Sequence, residues 1–246
     1  MIGLARAAVH AARLGLIALG ALAVLHASPG RAAGNLSVSP TRVDLTDAGT
    51  GTVTVRNTGE EASVLQIAVM RWLDSPLPDA LEPAPHLIAV PPVFVLPAGK
   101  QQVVRLALRD RRRSETERSF RLLLSEVPAP AAGKQAGGVR FSLGFNNPVF
   151  QKPAGALAEP IWSIAPGNGG RVLSVRNDGQ AHVQMSAVSV RDPAGATITD
   201  LKDAFYLLPG RSRSWRLPAA AGGRTLTVVA DTNLGTLEER LAASGE

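Results

Sequence analysis

Cysteine is absent from all 246 residues. That removes disulfides, thiolate nucleophiles and Cys-based metal sites, and leaves stability to packed secondary structure. Histidine is scarce: of the four, His10 and His26 sit in a leader-like start. The remaining two, His86 and His182, are far apart in the sequence, which argues against a histidine metal cluster. Gly-x-Ser-x-Gly, His-Glu-x-x-His and the phosphate-binding glycine loop are all missing, so no catalytic motif and no cofactor site is expected. Only one long apolar run occurs, Leu14 to Leu25, too short to cross a bilayer comfortably. It follows Arg6 and Arg13 and precedes the small-x-small run Gly30-Arg31-Ala32. This is the pattern of a secretory signal spanning residues 1–32, with the mature chain starting near Ala33 or Gly34. Removing Arg6, Arg13 and Arg31 takes the formal charge from +6 to about +3, which weakens any nucleic-acid reading. An exported protein without a membrane-spanning segment is expected.

What is present is a repeat. Gly51-Thr52-Val53-Thr54-Val55-Arg56-Asn57-Thr58-Gly59 is answered by Gly170-Arg171-Val172-Leu173-Ser174-Val175-Arg176-Asn177-Asp178-Gly179. Further on, Leu96-Pro97-Ala98-Gly99 is answered by Leu208-Pro209-Gly210. Two matched pairs in the same order imply two copies of one fold. Short alternating segments punctuated by Gly and Pro point to an all-β protein of two immunoglobulin-like β-sandwich domains in tandem. The expected domains are 33–153 and 154–232, with the hinge between Lys152 and Glu159 and a tail at 233–246 that forms a short amphipathic helix or stays disordered. Asn57-Thr58-Gly59 and Asn177-Asp178-Gly179 read as tight turns between strands, built from residues that tolerate positive φ.

The segment from Val139 to Phe145 alternates strictly, which places Val139, Phe141, Leu143 and Phe145 on one face of a strand. It closes the first half and follows a Gly/Ala/Pro-rich loop from Pro128 to Gly138. It leads into Asn146-Asn147-Pro148, a place for a sheet edge to end. Proteins ordinarily suppress exposed apolar edges, so one retained here reads as an edge to be lent to another chain. Arg109 to Arg118 mixes charge signs and reads as a solvated connecting loop, while Glu60-Glu61 and Glu238-Glu239 read as surface charge. Arg42 alternates with Val43 and Leu45 on the first strand. It is either an ordinary surface arginine or an anchor for a carboxylate, which guanidinium can hold through two hydrogen bonds.

Read together, three segments resemble the periplasmic chaperones of the chaperone-usher pilus pathway. Ser39-Pro40-Thr41-Arg42-Val43 is similar to their opening strand, and Leu96 to Lys100, continuing to Arg105, to a recurrent strand start. Glu117 to Pro128 is similar to a segment ending in Glu-(Ile/Val)-Pro. The long loop before Val139 looks closest to the archaic branch, whose operons make spore-coat-U-like fimbriae. The resemblance implies donor-strand complementation: Val139, Phe141, Leu143 and Phe145 would fill the groove of a fimbrial subunit that is then delivered to an outer-membrane usher. It also implies that a first-strand arginine, matched by Arg42, and a donor-strand lysine hold the subunit's terminal carboxylate. The lysine's place falls on Pro148, which leaves Lys152 and Arg105 as candidate substitutes. An exposed donor edge would also offer a route to self-association. The other reading consistent with these residues is a non-catalytic periplasmic immunoglobulin-like adaptor or adhesin component that keeps its edge covered.

Overall fold

Alternating apolar and polar residues make strands, and strands with one apolar face must stack in pairs. The computed structural model, which describes residues 35–73, 80–110, 114–127, 144–167, 170–201, 204–218 and 225–242, follows that rule twice. In the first half the strands are β1 (Leu36–Ser39), β2 (Val43–Asp44), β3 (Thr50–Asn57), β4 (Ser63–Trp72), β5 (Leu81–Pro83), β6 (Leu87–Val90), β7 (Val93–Leu96), β8 (Gln101–Leu108), β9 (Arg118–Val127) and β10 (Gly144–Gln151). One sheet runs β1-β3-β8-β6. The facing sheet runs β2-β10-β9-β4-β5, with β7 also pairing with β4. Val53, Val55 and Leu106 from the first sheet and Leu65, Leu122 and Val149 from the second are buried in one shared core.

The opening segment changes sheets. β1 pairs with β3, the chain bends at Ser39–Pro40, and β2 pairs in parallel with the far end of β10.

The second half holds β11 (Pro160–Gly167), β12 (Gly170–Asn177), β13 (Val183–Arg191), β14 (Thr197–Leu201), β15 (Phe205–Leu207), β16 (Ser212–Arg216), β17 (Thr225–Thr232) and β18 (Gly235–Ala242). Its sheets run β11-β12-β16 and β14-β13-β17-β18, with β15 also on β13. The protein is thus two immunoglobulin-like β-sandwiches in tandem.

The repeated Arg-Asn-x-Gly motif has one physical explanation in both halves, and it is not the expected one. Gly59 and Gly179 do not adopt positive φ, and no non-glycine residue among those described does. The turns also join different sheets, since β3 and β4, like β12 and β13, never pair with each other. What the motif supplies is a buried amide. Asn57 Nδ2 donates to the carbonyls of Glu61 (2.7 Å) and Leu96 (3.0 Å), while its Oδ1 accepts from Gly59 N. Asn177 Nδ2 donates likewise to Ala181 (2.7 Å) and Leu207 (3.0 Å), and its Oδ1 accepts from Gly179 N. Each amide satisfies backbone groups that the crossing from sheet to sheet would otherwise strand. The glycines are required for space: a Cβ on Gly179 would stand 2.3 Å from the Leu157 carbonyl oxygen.

The tail differs from expectation as well. Gly235 to Ala242 is neither a helix nor a loose end but a full antiparallel partner of β17, from Thr225↔Ala242 to Thr232↔Gly235. The helical spacing of Leu234, Leu237 and Leu241 loses because a helix this short is marginal alone. The hairpin instead secures a complete ladder and buries Leu241.

Candidate functional site

β10 is the element on which the site is built. On one side it pairs with β9 along its whole length, Gly144↔Ser125 to Gln151↔Arg118. On the other, β2 reaches only Val149 and Phe150, so no described strand flanks Gly144 to Pro148. Leu45 N donates to Phe150 O (2.7 Å), which shows that the backbone groups of even-numbered residues point to that open side. Gly144 and Asn146 therefore present their N–H and C=O groups outward. Pro148 falls in the same register, so its missing N–H costs the β9 ladder nothing. The strand consequently does not end at Asn146-Asn147-Pro148, as the sequence suggested, but runs on to Gln151.

The side chains of β10 divide by parity. Phe145 is half-buried against the core of the first sandwich and Val149 is fully buried in it. Asn147, on the same face, is buried, and its Nδ2 donates to Thr41 O (2.9 Å), fastening the bend between β1 and β2. Val139, Phe141 and Leu143, the other members of the predicted stripe, lie outside the described residues.

Phe150 points the other way and anchors the contact between the two sandwiches. Its ring stacks on His182 at 3.7 Å and 19°, packs with Trp72 and Tyr206, and is fully buried. His182 Nδ1 lies 2.8 and 2.9 Å from the two carboxylate oxygens of Glu117, whose side chain is 0 % exposed. The His182 backbone N–H donates to the same carboxylate (3.3 Å). Glu117 was expected at the edge of a solvated loop; it is buried because its own amide is drawn to the Gln180 carbonyl of the second sandwich (2.8 Å). Arg121 lies over the Trp72 ring at 3.6 Å. Burial pushes the Tyr206 hydroxyl above the usual tyrosine range, against the opposing pull of Arg42 and Arg121, with Asp44 adding to the rise.

Beside this contact lies a cleft of about 350 Å³ between the sandwiches. It is lined by Arg42 and Lys152 from the first and by His182 and Leu234 from the second. Arg42 stands at the bend before β2, with Asp44 accepting from its Nε (3.2 Å) and pairing with its Nη2 (3.0 Å). A guanidinium has five N–H groups, so donors remain for a ligand. The structure thus brings Arg42 and Lys152 to one cleft. Arg105 lies elsewhere, on β8 of the other sheet between Thr52 and Val90.

Sequence reasoning missed Phe150, Glu117 and His182. The adjacent pair Val149-Phe150 was a readable signal, since two neighbouring apolar residues on a strand require both faces to be covered. For the pairing of Glu117 with His182, 65 positions apart, there was no local signal.

A model of the family described as pili and flagellar-assembly chaperone, PapD N-terminal domain, matches residues 35–157. No curated protein matches the chain. Among solved structures, the chain is similar to one in the CsuC–CsuE chaperone–tip adhesion subunit pre-assembly complex from archaic chaperone-usher Csu pili of Acinetobacter baumannii. The TM-score is 0.64 with 19% identity, over 86% of this chain and 100% of that one. It is also similar to a chain in the Salmonella enterica SafA pilin complex with the SafB chaperone, with a TM-score of 0.61, 18% identity and coverage of 83% and 95%. A third likeness is to the E. coli chaperone DraB, with a TM-score of 0.58, 20% identity and coverage of 86% and 96%.

Proposed function

We propose, since the chain belongs to the family of pili and flagellar-assembly chaperones, that it works in the periplasm and captures fimbrial subunits by lending them β10, before passing them to an outer-membrane usher. The observation that carries the reading is that no described strand covers the edge from Gly144 to Pro148, on a strand whose other edge is fully paired. An incoming strand can complete that edge through main-chain hydrogen bonds, while alternate side chains supply fit. Phe145 and the sequence stripe Val139, Phe141 and Leu143 provide those side chains. Burying each of the three stripe residues is worth roughly 1.5–3 kcal/mol, so they contribute on the order of 4.5–9 kcal/mol before the cost of ordering, with less from Phe145, which is already half-buried. Arg42 and Lys152, which line the neighbouring cleft, are assigned the subunit's terminal carboxylate; Arg105 lies on β8 of the other sheet, outside that cleft. The archaic branch is the one whose long loop before the donor strand this chain shares.

The test is co-production of the chaperone with a fimbrial subunit and recovery of the complex from periplasm. Changing Phe141→Asp together with Leu143→Asp should abolish recovery while the chaperone itself still accumulates, because the new charges would enter an apolar groove without partners. Undiminished recovery would sink the proposal. Strong hydrogen-exchange protection at Gly144 and Asn146 in the free monomer would instead favour an adaptor with a covered edge.

A further inference from the structure

His182 carries a nitrogen that the contact between the sandwiches does not explain. Its side chain is 7% exposed, and Nδ1–H donates to the Glu117 carboxylate. Nε2 is buried and has no hydrogen-bond partner among the described residues. The ring cannot turn to relieve this, because it is stacked on Phe150, lies against Tyr206 and is tied to Glu117 through its own backbone N–H as well. A buried polar atom left alone in a rigid setting is unfavourable unless an occupant satisfies it. Here the residue lines the same cleft as Arg42 and Lys152.

We propose that His182 is the third arm of an anion clamp, its Nε2–H donating to the carboxylate that Arg42 and Lys152 receive. The inference rests on the reading of the cleft as the seat of a bound chain's terminal carboxylate. An uncharged imidazole that donates from Nδ1–H to a carboxylate carries only a lone pair on Nε2. When a second carboxylate arrives, the ring takes one proton from solvent at Nε2, and the resulting imidazolium bridges Glu117 and the ligand. The charged groups around it are Glu117 just before β9, Asp44 on β2 and the ligand on the negative side, and Arg42 before β2, Lys152 after β10, Arg121 on β9 and the imidazolium on the positive side. Tyr206 on β15 stays neutral. Capture is thereby coupled to the second sandwich, since the clamp closes only when that domain holds His182 at the cleft.

The experiment uses the intact mature chain and synthetic peptides of alternating apolar residues that end either in a free carboxylate or in an amide. Isothermal titration in buffers of different ionisation enthalpy measures affinity and proton uptake together. The free acid should bind on the order of tenfold more tightly than the amide, as charge-assisted hydrogen bonds would give, and should draw in up to one proton per complex. The ¹⁵N resonance of His182 Nε2 should move from the unprotonated to the protonated range with the acid alone. His182→Asn, whose amide can still donate to Glu117 but has nothing at the Nε2 position, should lose the proton uptake and most of the preference for the acid over the amide. His182→Gln, which restores a donor near Nε2, should recover part of the preference without the proton. Proton uptake unchanged in His182→Asn, or an Nε2 resonance unmoved by the acid, overturns the clamp while the strand-lending reading stands. Failure of both peptides to bind overturns that reading and the clamp with it.

Discussion

Removing the Glu117 carboxylate tests whether the two sandwiches act as one body. Glu117 and His182 belong to different sandwiches, both are buried, and three of the carboxylate's contacts, at 2.8, 2.9 and 3.3 Å, are to His182. Glu117→Ala leaves the Nδ1–H and the backbone N–H of His182 without acceptors in a setting closed to water. Breaking one side of a buried pair costs about 3–5 kcal/mol, and hydrogen bonds to a charged group contribute about 1.5–3 kcal/mol each. About 3–4 kcal/mol is therefore the expected loss. With a urea slope of about 2–3 kcal/mol/M for a chain of this size, the midpoint should fall by more than about 1 M. Trp72 reports the contact directly, because it packs on Phe150, Tyr206 and the Arg121 guanidinium. Its fluorescence should change ahead of that of Trp162 and Trp215, which stack within the second sandwich. The double change with His182→Ala should cost clearly less than the sum of the two single changes, by at least about 2 kcal/mol. A midpoint within about 0.2 M of the parent protein, or strict additivity, would refute the assignment of Glu117 and His182 as the coupling between domains.

Asn146→Pro should block capture without unfolding the chaperone, since the Asn146 N–H points to the open edge and not into the β9 ladder; thermal unfolding and complex recovery measure the two effects separately. Gly179→Ala should be far more damaging than Gly99→Ala. The added Cβ would meet Leu157 O at 2.3 Å and Glu159 N at 2.5 Å in the first case and open space at φ +70° in the second, so about 3 kcal/mol or more is expected against about 1 kcal/mol in urea titrations. Tyr206 should make stability fall as pH rises above the ordinary tyrosine value of 10.0. Below that value the hydroxyl is protonated in both folded and unfolded chains and contributes no slope; above it the unfolded chain gives up its proton first. Tyr206→Phe should remove that component. Because this is the chain's one tyrosine, ultraviolet difference absorption titrates it directly, and an unchanged alkaline slope in the variant would count against its burial.

The amino-acid sequence by itself determined the all-β class and the two-fold repeat, because alternation and the Asn-x-Gly and Leu-Pro signals are local. It also marked β10 as an apolar strand needing a partner, through Phe145 and the stripe before it. Neither the helix nor the disorder expected at the tail is found over Gly235–Ala242, because Leu234, Leu237 and Leu241 are compatible with either period and only the availability of β17 as a partner chose between them. The turn motif was located correctly in sequence and misread in mechanism. Nothing local distinguishes an asparagine that tolerates positive φ from one that must be buried to hold two sheets together. The rest was decided by tertiary structure alone. Which edge of β10 stays open depends on where the β1–β2 segment changes sheets. Whether Arg42 meets Lys152 or Arg105 depends on the side of the sandwich each strand occupies. The pairing of Glu117 with His182 exists only because the second sandwich docks on Phe150: buried electrostatic contacts between distant residues are properties of the packed molecule, with no periodicity to announce them.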